Sequence, residues 1–64
     1  MDLKAVGLRI KTAREAKGLT QENLAALVDL SSTHISVIER GMKTVRLDTF
    51  VPSQMPWMFP QILF

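Results

Sequence analysis

The chain has 64 residues, no cysteine, one histidine, 47% hydrophobic residues and a formal net charge of +2. A chain this short buries only about 60% of the surface its unfolded form exposes, so its core must be dense or supported by a partner. The composition excludes a disulfide scaffold and a thiolate or multi-histidine metal centre, leaves no recognisable nucleophile–base pair for an enzyme, and argues for a packed fold over disorder. No run of eighteen apolar residues is present, so no spanning helix is expected, and Met1-Asp2-Leu3-Lys4 is unlike a secretory signal. A soluble cytoplasmic protein without cofactor, metal, membrane or small-molecule partner is the expectation.

In chain order, Leu3, Val6, Ile10 and Ala13 fall at helical spacing with Lys4, Arg9, Lys11 and Arg14 on other faces, which predicts a first helix over Leu3 to Lys17. Gly18 ends it in the manner of a C-terminal glycine with positive φ. Thr20 is an N-cap for a second helix with Glu22 in its first turn and Leu24, Leu27 and Val28 on its apolar face. Asp29 and Ser31 mark a tight turn. Asp29 falls where the backbone calls for φ > 0, which Asp tolerates better than most residues. Ser31 caps a third helix over Ser32 to Arg40, with Ile35 and Ile38 inward and Gly41 as its stop. Lys43 to Arg46 reads as a loop, and Leu47 to Val51 as the start of a fourth helix. The expected fold is therefore all-α, with four short helices.

The segment Gln21 to Arg40, two short helices about a tight turn with small Ala25 at their approach, follows the helix-turn-helix pattern. Two stretches carry a closer likeness: Arg14-Glu15-Ala16-Lys17-Gly18-Leu19-Thr20-Gln21-Glu22-Asn23-Leu24-Ala25, and Ile35-Ser36-Val37-Ile38-Glu39-Arg40-Gly41. Over about Val6 to Val51 the chain resembles the phage repressor/Cro-type helix-turn-helix family (lambda-repressor-like domains). The resemblance implies a DNA-binding regulator that docks its third helix in the major groove, commonly as a homodimer on a palindromic site. Asp29 stands where that family usually has glycine and Val45 where it usually has proline. The family's fifth helix is missing, because Pro52, Pro56 and Pro60 forbid a continuous helix.

The resemblance also implies site residues. Ser32, Thr33, Ser36 and Val37 face base edges; hydroxyls pair with several bases, and Val37 can only touch a thymine methyl. Thr20, Gln21, Ser31, His34, Arg40, Lys43 and Arg46 lie toward phosphates, and Arg14 both approaches phosphate and forms an ion pair with Glu39. The partners expected are double-stranded DNA and a second copy of the chain. A protein-interaction or antitoxin-like helical module with little DNA specificity is the alternative, and an interfacial membrane binder lacks the basic amphipathic helix it needs.

All charged residues lie between Asp2 and Asp48. The sequence thus divides into a helix-turn-helix domain, 1–51, and an uncharged Pro/aromatic tail, 52–64. The tail offers Met55, Trp57, Met58, Phe59, Ile62, Leu63 and Phe64 as a cover for apolar surface around Leu3, Leu27, Phe50 and Val51. It is expected to lie as a strap on its own body or across a two-fold axis, with at most one helical turn after Pro60. Codon arithmetic adds an expectation about its origin. Read two bases out of frame, Pro52 to Phe64 can encode Ile-Ala-Asn-Ala-Leu-Asp-Val-Ser-Pro-Asp-Ile-Leu, with one Ala and the Asp-Val pair forced, which resembles the family's fifth helix. The tail is on this reading a frameshift product.

Overall fold

In the computed structural model, residues 2–63 are described, with Leu47 and Leu63 described by their backbone alone. Helix α1 runs Leu3–Ala16, α2 Gln21–Leu27, α3 Ser32–Glu39 and α4 Phe59–Leu63, with a 3₁₀ turn at Leu47–Thr49. No strand occurs among the described residues. The fold is all-α. Helix α3 packs on both α1 and α2, and α4 packs on α1.

Each of the first three helices begins on a side-chain cap. Asp2 Oδ1 accepts from Lys4 N and Ala5 N, and Ser31 Oγ accepts from His34 N at 3.1 Å. Thr20 and Asn23 cap each other: Asn23 N donates to Thr20 Oγ1 at 3.0 Å, and Thr20 N donates to Asn23 Oδ1 at 3.2 Å. These caps occupy backbone donors of a helix start that have no intrahelical partner.

The same three helices end alike. Gly18, Asp29 and Gly41 have φ of 71°, 56° and 75°. The residue after each donates back five positions: Leu19 N to Arg14 O, Leu30 N to Ala25 O and Met42 N to Val37 O. This closure satisfies carbonyls of the last turn and needs a left-handed residue at its centre. Asp29 sits where glycine is unstrained, at a cost that exceeds the extra chain entropy glycine brings to the unfolded state. Asp29→Gly is expected to stabilise the fold by about 0.5–1 kcal/mol, a gain of a few degrees in a thermal melt.

Val6, Ile10 and Ala13 of α1, Leu24 and Ala25 of α2, and Ile35 and Ile38 of α3 form the core with Val28, Val45 and Phe50. Gly7 lets α1 approach the end of α3 closely. A Cβ there would meet the Ile38 carbonyl oxygen and lie 2.7 Å from the Glu39 carbonyl oxygen, both backbone atoms that cannot swing away. Gly7→Ala is expected to cost about 1–3 kcal/mol by forcing the helices apart, measurable as a lowered denaturant midpoint.

Two expectations need correction. Leu47 to Val51 is not the start of an α-helix: it holds one 3₁₀ turn, Leu47–Thr49. Phe50 is drawn completely into the core, and Val51, preceding Pro52, is biased away from helical backbone. The fourth α-helix lies instead in the tail. It includes Pro60 as its second residue, where the missing N–H would have had no helical partner.

The tail is folded back on its own body. Turns at 52–54 and 56–58 precede α4, and Met55, Met58 and Ile62 are buried with Trp57 and Phe59 packed beside them. The radius of gyration, 10.3 Å, is that of a fully compact chain of this length, roughly 10.7 Å. The tail's Met55, Met58 and Ile62 share one core cluster with Phe50, while Leu27 and Val51 remain exposed. Lys17 Nζ stands 5.6 Å from the Trp57 ring centroid, a cation–π contact joining the end of α1 to the tail. Phe64 and the Leu63 side chain, named above as part of the cover, lie outside the described residues.

Candidate nucleic-acid interface

The helical phase of α3 divides its side chains. Ile35, Ile38 and Glu39 are buried, Thr33 is exposed, and Ser32, Ser36 and Val37 are half-buried on the outer side. The outward row carries hydroxyls and one small apolar group, with no acidic side chain among its four members. It therefore presents donors, acceptors and a methyl surface that can enter a groove without repelling phosphate.

Glu39 determines how that row is held. It is 8% exposed, and Arg14 Nε donates to its Oε2 at 2.7 Å while Arg14 Nη2 donates to its Oε1 at 3.2 Å. This bidentate geometry is the strongest available to a carboxylate. Arg14 Nη1 donates to the Leu19 carbonyl at 2.8 Å, and Gln21 Nε2 donates to Glu39 Oε1 at 3.0 Å. Glu39 thus ties α1 and the start of α2 to the end of α3, and Arg14 adds the α1–α2 turn. The hydrogen bond and charge of Glu39 outweigh burial, so the Arg14 guanidinium is held above its ordinary pKa range. Of five guanidinium N–H donors, three are spent inside the protein.

In front of this network lies an open groove of ≈ 580 Å³ lined by Arg14, Leu19, Thr20, Gln21, Glu22 and Ser32. It brings the first residues of α2 together with the first residue of α3. Thr20 and Ser31 use their oxygens as caps but keep their hydroxyl hydrogens for an external acceptor. The other cations expected at phosphate sit at the other end of α3. Arg40 and Lys43 are exposed, with Arg40 Nε 3.4 Å from the Ser36 carbonyl. Arg46 is exposed and 3.6 Å from Asp48. His34 is half-buried, facing a small cleft with Arg46 and Thr49.

The sequence reading placed Arg14 beside Glu39 but had no means of seeing Gln21 join them. The two residues are eighteen positions apart and meet only because α2 and α3 pack. Among the described residues no group of acids and histidine is arranged to hold a metal, and no helix is long and apolar enough to cross a membrane.

Two N-capped helices about a left-handed turn, the second with an uncharged polar face, define a helix-turn-helix protein. Residues 10–51, about two thirds of the chain, match the Helix-turn-helix family model, and the chain belongs to that family, of the repressor/Cro type. Members are DNA-binding regulators, and this protein is a DNA-binding helix-turn-helix regulator in that general sense. Comparison with curated proteins and with solved structures finds no match.

Proposed function

We propose that the chain is a sequence-specific transcriptional regulator that lays α3 in the major groove of double-stranded DNA. The supporting observation is the outward row of α3 framed by the Thr20–Ser32 groove at one end and Arg40 and Lys43 at the other. Ser32, Thr33, Ser36 and Val37 read base edges, Val37 through a thymine methyl. Thr20, Gln21, Ser31, His34, Arg40, Lys43 and Arg46 contact phosphate and sugar and fix the register. Arg14, with most of its donors engaged, acts mainly by holding Glu39 and through it Gln21 and α3. Four small readers give modest discrimination, so the regulator works in the cytoplasm as a homodimer on half-sites about 34 Å apart. The exposed Leu8, Leu27 and Met42 side chains provide apolar surface for the second copy.

The test is a DNA mobility shift with sites selected from a random pool, run at several salt concentrations. Lys43→Ala is expected to weaken selected and random DNA alike and to flatten the slope of log K against log salt by about 0.9. Thr33→Ala is expected to leave the slope unchanged and relax preference at one or two base pairs by about 1–3 kcal/mol. Equal affinity for random and selected DNA at every salt concentration would refute sequence-specific reading and leave the alternative of a protein-interaction module.

A further inference from the structure

Helix α1 has an exposed outer face. Lys4, Leu8, Lys11 and Glu15 are all exposed and follow one another at helical spacing, so they form a single stripe along the helix. Leu8 is 61% exposed, and Met42, 68% exposed, emerges beside the first turn of that stripe. Its neighbour Gly41 lies so close to α1 that a Cβ there would be 2.6 Å from Lys4 Cα. Thr12, next to Leu8, donates its hydroxyl to the Leu8 carbonyl at 2.9 Å, so that donor is already used. A single exposed leucine is ordinary on a protein surface. The charges around this one are what set the face apart. Among the described residues neither Lys4 nor Lys11 has an ion-pair partner. Glu15, its side chain 58% exposed, has only Arg14 at 4.0 Å, whose charge Glu39 already matches at 2.7 Å. Lys11 precedes Glu15 by one turn, the weaker orientation for a pair within a helix.

We infer that this face pairs two copies of the chain, α1 antiparallel to α1, about a two-fold axis between Leu8 and Lys11. The inference rests on the homodimer reading above and gives that dimer its interface. A closed two-fold pair must be self-complementary, and this stripe is. Near the axis, Leu8 of each copy lies on the aliphatic stem of Lys11 of the other, and at each end Lys4 of one copy stands opposite Glu15 of the other. A parallel arrangement would set lysine on lysine and glutamate on glutamate, which repel. The antiparallel one gives an apolar centre flanked by two opposite-charge pairs, with Met42 adding apolar contact at each end. Lysine stems cover apolar surface while their charges stay in water, so no charge is buried unpaired. The contact spans only one face of one helix, so the pair is weak and its population depends on concentration. No residue of the stripe is assigned to DNA, so the pair forms without it.

The test is sedimentation equilibrium of the full chain without DNA, over roughly a hundredfold range of concentration. The expected result is a monomer–dimer equilibrium that weakens as salt is raised. Glu15→Lys sets like charges opposite each other at both ends and weakens the dimer about tenfold, and Lys4→Glu does the same. The double variant Lys4→Glu with Glu15→Lys restores opposite charges and returns the dimer to near the parent's affinity. Leu8→Gln weakens the dimer by removing its apolar centre. All these side chains are exposed, so the variants keep the fold, which circular dichroism checks. A chain that stays monomeric at every concentration overturns the inference. So does a dimer indifferent to Glu15→Lys, which places the second copy on another surface, or a double variant as weak as the single ones, which removes the antiparallel register. Absence of specific DNA binding in the mobility shift refutes the DNA reading alone, because the masses are measured without DNA.

Discussion

Replacing Glu39 by alanine is expected to cost about 3–5 kcal/mol, because it strands the Arg14 guanidinium in a buried position with its best acceptors gone. Arg14 is 8% exposed, and its remaining bond, to the Leu19 carbonyl at 2.8 Å, cannot replace a bidentate carboxylate. A domain of this size has a stability of roughly 3–10 kcal/mol, so the loss is a large share of the total. The conservative variant Glu39→Gln keeps the volume and one acceptor, and should fall between the two. Removing both charges with Arg14→Met and Glu39→Leu together should recover much of the loss, since the penalty is for the lone charge rather than the absent pair. The pH dependence follows from the raised pKa of Arg14. A group with a raised folded value contributes fully at lower pH and loses its contribution only as pH climbs through that value. The guanidinium therefore gives the pair no alkaline weakness near neutrality. Urea denaturation of the four chains at pH 7 is the measurement, and a Glu39→Ala midpoint equal to the parent's would show that the pair carries no stability.

The part of the fold that sequence could reveal is the part set by local chemistry. Thr20 and Ser31 announce two helix starts because a hydroxyl before an apolar-periodic run has one efficient use. Gly18 and Gly41 announce two ends, and Asp29 a third, because a left-handed residue is required there and few side chains accept it. The outward row Ser32, Thr33, Ser36 and Val37 was legible for the same reason: once the phase of α3 is fixed by Ile35 and Ile38, its other side follows. Long-range geometry was not legible. Gln21 reaches Glu39 through helix packing that no spacing encodes, and the cleft formed by His34, Thr49 and Phe50 depends on a loop path. The helix expected from Leu47 failed because burying Phe50 with Pro52 two positions on leaves room for a single 3₁₀ turn.

The tail follows its expected course on its own body, with a single short helix around Pro60. Prolines at positions 52, 56 and 60 imply an extended or turned strap, and Met55, Met58 and Ile62, spaced by three and four, give that path one buried face. The prolines fall where such a path tolerates them: Pro52 and Pro56 lie in turns and Pro60 in the first turn of α4. The chain can therefore cover the α1 side of the core without the longer helix that the family resemblance implies.

That packing makes the tail's status measurable by a single side chain. Met58 is fully buried, as are Phe50 and Met55 close to it in the chain, and all belong to one core cluster. Met58→Ala is expected to cost about 2–5 kcal/mol, the loss of a buried methionine plus the void it leaves. Pro56→Ala, at an exposed turn position, should cost under about 1 kcal/mol by comparison, through unfolded-state entropy alone. A segment that merely follows the domain, whatever the origin of its reading frame, has no reason to distinguish these two positions. Removing residues 52–64 altogether should uncover Phe50 and turn the body into a sticky, associating species, seen as increased mass by light scattering. Equal melting temperatures for Met58→Ala, Pro56→Ala and the parent chain, with a monodisperse truncated form, would show that the domain closes its core at Val51 and that the tail adds nothing to it.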